Sequence, residues 1–336
     1  MQYCYAVQNY LWPANRIESA TKPEQAVVYQ GYYMKVVVPP APLAAGSLRI
    51  ESSIKNIDQL SDWKYFQHTE TFELITKIVK IWKDANFAES YMVFGKVSAD
   101  ETTFAWEIVP YPKTKWVIVK VWNQFKVLWN ITFGGKTLDA SAKNRVTDFY
   151  ARHEKTFSDI PPSEPDLPDQ SDCYFCKSSK KSVIDAQLVH QGMNIRILHD
   201  HAPLLGKDKP HLLLMPNKHR PRFEDLRNEE YLEISQDRSA LLHLYEKKGY
   251  RTFYIFNKSG KEAGQSVGHL HEHFVPTASK INEFFGKLTV LKKMMLPFLS
   301  SKMKKEELEE RVKITKIDLK EDGWMCCRNF FSNSKN

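Results

Sequence analysis

Three histidines sit at alternate positions in the run Gly268-His269-Leu270-His271-Glu272-His273-Phe274-Val275-Pro276. Side chains of a β-strand alternate between faces, so a strand here puts all three imidazoles on one side. Histidine is scarce in this chain, 11 of 336 residues, so such a run is not a by-product of composition. An imidazole that is neutral near pH 7 can act as nucleophile, metal ligand or proton carrier, and three on one face can divide those tasks. The bland reading is a surface strand that binds metal the way an affinity tag does. The approach to the run, Lys261-Glu262-Ala263-Gly264-Gln265-Ser266-Val267, is small, polar and contains glycine. A turn of that kind leaves backbone N–H groups free to hold an anion. A second chemical feature is Cys173-Tyr174-Phe175-Cys176. Its spacing suits a metal, although two buried structural cysteines also satisfy it.

The elements that must position these groups recur along the chain. Val27–Gly31 is followed by Ala41-Pro42-Leu43, and Leu188–Gly192 by Ala202-Pro203-Leu204. Further on, Ile57–Leu60 parallels Phe223–Leu226, Phe94 parallels Phe256, and Ile108-Val109-Pro110 parallels Phe274-Val275-Pro276. The order of landmarks indicates a duplicated unit. Each copy reads as strands, a helix (about Thr69–Ala85; Asn228–Lys248), a strand (Tyr91–Phe94; Thr252–Phe256) and a strand ending in Val-Pro. After it the first copy has a β-like run, Lys115–Trp122 continuing through Phe125–Phe133, and a helix near Asp139–His153. The second copy has Glu283–Leu296 and a helix near Lys304–Val312. The expected class is α+β, an antiparallel sheet with one major helix, used twice. Residues 154–172, rich in proline and acid, read as a linker between units at 1–153 and 173–336. By the Val-Pro anchor, His269, His271 and His273 fall opposite Thr103, Ala105 and Glu107, and His219 opposite Ser53, so one copy carries the chemistry.

Bulk properties narrow the function classes. A chain 42% hydrophobic can bury a core and is not a disordered protein. The net charge of +8 favours an anionic small molecule. No arginine-rich run interleaved with aromatics marks a nucleic-acid binder, and no apolar run of membrane-spanning length occurs. Neither nucleic acid nor membrane is therefore an expected partner. Five cysteines, without a secretory pattern at Met1–Tyr10, fit a cytoplasmic protein.

The stretch Gly264–Pro276, with Lys209-Pro210-His211 through Pro216-Asn217-Lys218-His219, resembles the histidine-triad (HIT) superfamily. Two such units in one chain resemble the galactose-1-phosphate uridylyltransferase and dinucleoside polyphosphate phosphorylase arrangement, an intramolecular pseudo-dimer. The resemblance implies a nucleotide hydrolase in which His271 attacks an α-phosphorus to form a nucleotidyl-histidine. The alternatives are a nucleotidyltransferase or phosphorylase, and a non-catalytic nucleotide-binding scaffold. It further implies that His273 and Ser266 serve catalysis and that Gln265, Asn257, His211 and Asp200 contact substrate. Cys173, Cys176, His219 and His269 would hold a structural zinc. The partner would be a nucleotide or nucleotide sugar, the assembly a monomer or a homodimer. Glu272 stands where the family is usually apolar; it is expected to be exposed or to meet a lysine of the other half.

Overall fold

The computed structural model describes residues 26–54, 57, 59–99, 103–158, 167–277 and 302–321. The first half contributes strands β1 (Val27–Gln30), β2 (Met34–Val37), β3 (Leu48–Ser52), helix α1 (Tyr65–Asp84), and strands β4 (Ser90–Ser98) and β5 (Ala105–Tyr111). Helices α2 (Val117–Phe133) and α3 (Ala140–Ala151) follow. The second half repeats the pattern with β6 (Leu188–Gln191), β7 (Ile195–His199), β8 (Leu212–Pro216), α4 (Asn228–Lys247), β9 (Thr252–Ser259) and β10 (Glu272–Thr277), and α5 (Lys305–Glu321) comes last. The ten strands among the described residues form one antiparallel sheet in the order β1-β2-β3-β5-β4-β9-β10-β8-β7-β6. The expected α+β class and the paired units are both present.

The halves are related by a pseudo-twofold axis through the β4–β9 pairing. Phe94 pairs with Phe256, while Met92 pairs with Lys258 and Lys96 with Tyr254. Position i of one copy thus meets its own equivalent at the centre. Local details repeat as well. A bulge interrupts β1 between Val27 and Tyr29 and β6 between Leu188 and His190. Glu70 of α1 accepts from the backbone N–H groups of Tyr32, Tyr33 and Met34, and Glu233 of α4 from those of Met193 and Asn194. Helix α1 stops at Asn86 (φ 52°) and α4 at Gly249 (φ 87°), the left-handed residue that closes a helix C-terminus. Backbone bonds Phe87 N to Trp82 O and Tyr250 N to Tyr245 O seal both ends. The register also revises one alignment. Gln30 donates to Ser53 Oγ as Gln191 donates to Asn217 Oδ1, each at 2.8 Å, so Ser53 corresponds to Asn217 and not to His219.

The main core lies between one sheet face and the helices α1 and α4. Buried Ile75, Ile78, Val79 and Trp82 recur at helical spacing on α1, as do Tyr231, Ile234, Leu241 and Tyr245 on α4. Phe72 stacks on Tyr231 at 5.1 Å where the two helices meet. The other sheet face carries a smaller cluster, Leu43, Met92, Val109, Val127, Phe256 and Val275, under α2.

Helix α2 corrects the expected β-run at Lys115–Phe133. Its β-branched residues favour a strand locally. But Gln124, Val127 and Ile131 sit three or four residues apart and face the sheet, and Gln124 and Asn130 hydrogen-bond to Glu262 O and Leu43 O at 2.8 and 2.9 Å. Tertiary anchoring at helical spacing overrides propensity. In the expected linker, Glu154–Ser158 is a short helix and Leu167 bridges to His219, while 159–166 lie outside the described residues. Glu283–Leu296 also lies outside them; the last helix runs longer than expected, to Glu321.

Candidate active site and Cys2His2 cluster

Parity along β10 decides what faces the site. His271, His273 and Val275 point to the α2 face, whereas Leu270, Glu272 and Phe274 point into the main core. His271 is 8% exposed, and its Nδ1 lies 2.9 Å from the carbonyl oxygen of His269. A carbonyl only accepts, so Nδ1 carries the proton and Nε2 keeps its lone pair. Burial lowers the His271 pKa from its ordinary value, which keeps the ring neutral. His273 stacks on Phe256 at 4.5 Å, and burial together with the neighbouring His271 and His211 depresses its pKa strongly.

Behind His273 stands a chain of polar groups. His211 Nε2 is 3.0 Å from His273 Nδ1, and His211 Nδ1 is 3.2 Å from Asp200 Oδ2 and 3.3 Å from the Leu204 backbone N. Asp200 Oδ1 accepts from Ala202 N–H at 2.9 Å. The structure therefore puts Asp200 against His211, one residue removed from the triad.

The loop 260–268 is organised by Gln265. Its Oε1 accepts from Gly260 N–H at 2.7 Å and its Nε2 donates to Pro221 O at 2.8 Å. Both ends of this amide are spent on holding the turn, and Ser266 is exposed beside it. Gly264 adopts φ 83°, a conformation that favours glycine.

Asn257 does not reach the triad. It pairs with Glu272, on the face turned toward the main core, and is 2% exposed. The residue on the triad side is its neighbour Lys258, which sequence reasoning missed. Only the pairing of Phe256 with His273, which puts Phe256 and Lys258 on the triad face of β9, reveals it. The Lys258 ammonium lies 6.0 Å from the Phe256 ring centre, and burial alone lowers its pKa to about 8. Glu272 is buried, and its expected lysine partner is instead Arg238 of α4 in the same half, bonded through both carboxylate oxygens at 2.8 and 3.0 Å. The Arg238 guanidinium also lies 4.8 Å from the ring centre of Trp106, a residue of the first half.

Cys173, Cys176, His219 and His269 are buried, with ligand atoms all within 4.8 Å of one another. Cys176 Sγ is 3.3 Å from His219 Nδ1 and 3.8 Å from His269 Nδ1, and Cys173 Sγ is 3.7 Å from His269 Nδ1. Sulfur and nitrogen on two corners of a zinc tetrahedron stand about 3.5 Å apart, given Zn–S near 2.3 Å and Zn–N near 2.0 Å. His269 Nε2 donates to Pro216 O at 3.1 Å, which leaves Nδ1 free to ligate. The four residues fit a tetrahedral ion as they stand.

In the first half the equivalent ground is filled. Glu107, in the His273 position, accepts from Leu43 N–H at 2.7 Å and lies 3.5 Å from Arg49. Leu43, bonded to Glu107, packs in one cluster with Val109 and Val127 of the same half. By the spacing from Gly31 and Pro42 against Gly192 and Pro203, Trp12 and Asn15 fall opposite Cys173 and Cys176, and both lie outside the described residues.

A model of the HIT domain matches residues 181–280. The chain is 30% identical over 104 residues to an uncharacterized HIT-like protein of Methanocaldococcus jannaschii, covering 31% of this chain and 78% of that protein. It is 29% identical over 114 residues to an adenosine 5'-monophosphoramidase of Schizosaccharomyces pombe, covering 34% and 78%. Among solved structures it is similar to a uridylyltransferase at 15% identity and a TM-score of 0.49, over 93% of each chain.

Proposed function

The chain belongs to the HIT domain family, and on that premise we propose that it is a nucleotide hydrolase working through a nucleotidyl-His271 intermediate. The observation that carries this is the His271 tautomer, with Nδ1–H tied to the His269 carbonyl and a buried, neutral Nε2. Nε2 attacks the α-phosphorus, a P–N bond to His271 forms and the bond from phosphorus to the leaving group breaks. Water then attacks phosphorus, the P–N bond breaks, and the nucleoside monophosphate and a proton are released. His273, held in orientation by His211 and Asp200, would serve the leaving group. Ser266 and the N–H groups of its loop receive phosphate oxygens, and Gln265 keeps that loop in shape.

The test is release of nucleoside monophosphate from dinucleoside polyphosphates, nucleotide phosphoramidates and nucleotide sugars, with and without inorganic phosphate or hexose phosphate. Release that needs only water supports the hydrolase. Product that appears only with a phosphate acceptor moves the chain to the transferases. Nucleotide binding without turnover of any substrate would leave only a binding module.

Lys258 adds a cation to the phosphate side of the site. With a pKa near 8 it is mostly protonated at pH 7. Removing one donor to a transferring phosphoryl group costs about 10²-fold in rate. Lys258→Met is therefore expected to lower kcat/KM by about that factor with thermal stability retained. In the wild type, activity should fall as pH rises through about 8, and Lys258→Arg should move that limb upward. A pH profile identical in wild type and Lys258→Arg would remove the residue from the site.

The Cys2His2 cluster would hold zinc in a closed, structural site. Bound there, zinc would fix His269 and through it the backbone carbonyl that sets the His271 tautomer. Burial pushes the Cys176 thiol up to about 12, so zinc loading releases protons. The purified protein is expected to contain one equivalent of zinc by emission spectrometry. Cys176→Ser should lose it and melt at markedly lower temperature; retained zinc in that variant would refute the assignment.

A further inference from the structure

Helix α2 turns an unusual face to solvent. Its anchored side meets the sheet through Val127, Ile131, Gln124 and Asn130. On the opposite side Ile118, Trp122, Phe125, Trp129 and Phe133 follow each other at steps of three or four residues, forming one stripe. Neighbouring rings touch along its length: Trp122 to Phe125 at 5.4 Å, Phe125 to Trp129 at 5.7 Å, and Trp129 to Phe133 at 4.4 Å. Ile118 is 77% exposed and Trp122 53%, and Trp116 just before the helix is 71% exposed. Scattered apolar residues on a surface need no partner, but a contiguous stripe of this length does.

The charge around the stripe says which partner. No aspartate or glutamate occurs between Tyr111 and Leu138, whereas Lys113, Lys115, Lys120, Lys126 and Lys136 do. Lys113, Lys115, Lys126 and Lys136 are exposed, and Lys126 lies over the Trp122 ring. Glu262, which feels the charges of Lys120 and Lys113, lies on the anchored side and is bonded to Ser90. A second copy of this chain docked by twofold symmetry would bring two such sets of lysines together with no acid from these segments to answer them. An apolar helix face rich in tryptophan and rimmed by lysine fits a bilayer surface bearing anionic headgroups. We propose that α2 is an interfacial anchor that seats this protein on anionic membranes. No helix among the described residues is long and apolar enough to span a bilayer. The contact is parallel to the surface, with the aromatic rings at headgroup depth and the lysines against lipid phosphates.

Flotation of the full-length protein with vesicles tests this, using phosphatidylcholine alone and phosphatidylcholine mixed with phosphatidylglycerol. The expected result is binding to the mixed vesicles, weak binding to the neutral ones, and loss at high salt. Trp122→Glu with Trp129→Glu should reduce the bound fraction at least about tenfold. Lys115→Gln with Lys126→Gln should weaken it and flatten its salt dependence. Both variants should keep the wild-type melting temperature, since these side chains face solvent. Quenching of tryptophan fluorescence by brominated lipid, lost in the double Glu variant, would place α2 itself at the interface. A wild-type protein that stays with the solution fraction overturns the proposal. If it is also a dimer by light scattering, and Trp122→Glu with Trp129→Glu makes it a monomer, the stripe is a contact between copies. This readout does not use nucleotide turnover, so it stands or falls apart from the hydrolase reading.

Discussion

His271→Gly is expected to lower turnover of any accepted nucleotide by about 10⁴-fold or more. The reason is geometric as well as chemical. Within the triad strand, His271 has one nitrogen committed to a backbone carbonyl and the other free in a neutral ring, whereas His273 Nδ1 is taken up by His211 and His269 faces the cysteines. No other imidazole of the strand is placed to substitute for it. The covalent step adds a second readout. A phosphoramidate survives base and is lost in acid, so wild-type protein quenched in alkaline denaturant during turnover should carry a nucleotidyl mass on the peptide containing His271. His273→Gly should slow turnover yet still permit the adduct. Turnover by His271→Gly within tenfold of wild type would sink the covalent mechanism, and an adduct on another residue would move the nucleophile.

Arg238→Met is expected to destabilise the fold by about 3–5 kcal/mol, the cost of leaving a buried carboxylate without its partner. Arg238 and Glu272 are almost wholly inaccessible to water and joined by two hydrogen bonds, so screening by solvent gives no discount. Their bond ties α4 to the strand that aims His271, and the guanidinium touches Trp106 of the other half. The loss should therefore appear in chemical denaturation and in kcat together. Replacing both partners, Arg238→Met with Glu272→Leu, removes the buried charge altogether and should recover most of the stability. A double variant as unstable as the single one would mean that the packing of α4, and not the unpaired charge, dominates. Equal activity in the stable double variant and the wild type would show that the pair serves stability alone.

Much of the site was legible because its information is local. Alternation of His269, His271 and His273 is a property of one strand, and the order Cys173, Cys176, His219, His269 was visible before the structure brought them within reach of one ion. The duplicated unit was legible from landmarks such as Phe94 and Phe256, which the sheet places face to face. What escaped depends on pairing between strands or on tertiary anchoring. Lys258 and Asn257 are adjacent in sequence, and only the β9–β10 register tells which faces the triad. The match of Ser53 to His219 failed for the same reason, two residues out of register. Glu272, on β10, found an arginine 34 residues away on α4 of its own half, a contact no local pattern announces. At α2 the β-branched residues masked a periodicity of three and four that was present in Ile118, Trp122, Phe125, Trp129 and Phe133.

The axis through Phe94 and Phe256 has a consequence for how the protein behaves on dilution. Two identical subunits joined at this seam would separate as their concentration fell, and each would lose the edge that completes its sheet. Here a covalent tether holds the two sides at an effective concentration on the order of millimolar. Assembly is thereby made independent of expression level. The tether also lets the sides diverge: Glu107 stands where its counterpart has His273, and its carboxylate is bonded to the Leu43 backbone. A symmetric pair would present two nucleophiles and room for one to influence the other. Under the proposed mechanism this chain would present one, His271, so its saturation curve should be hyperbolic and its pre-steady-state burst should approach one nucleotide per polypeptide.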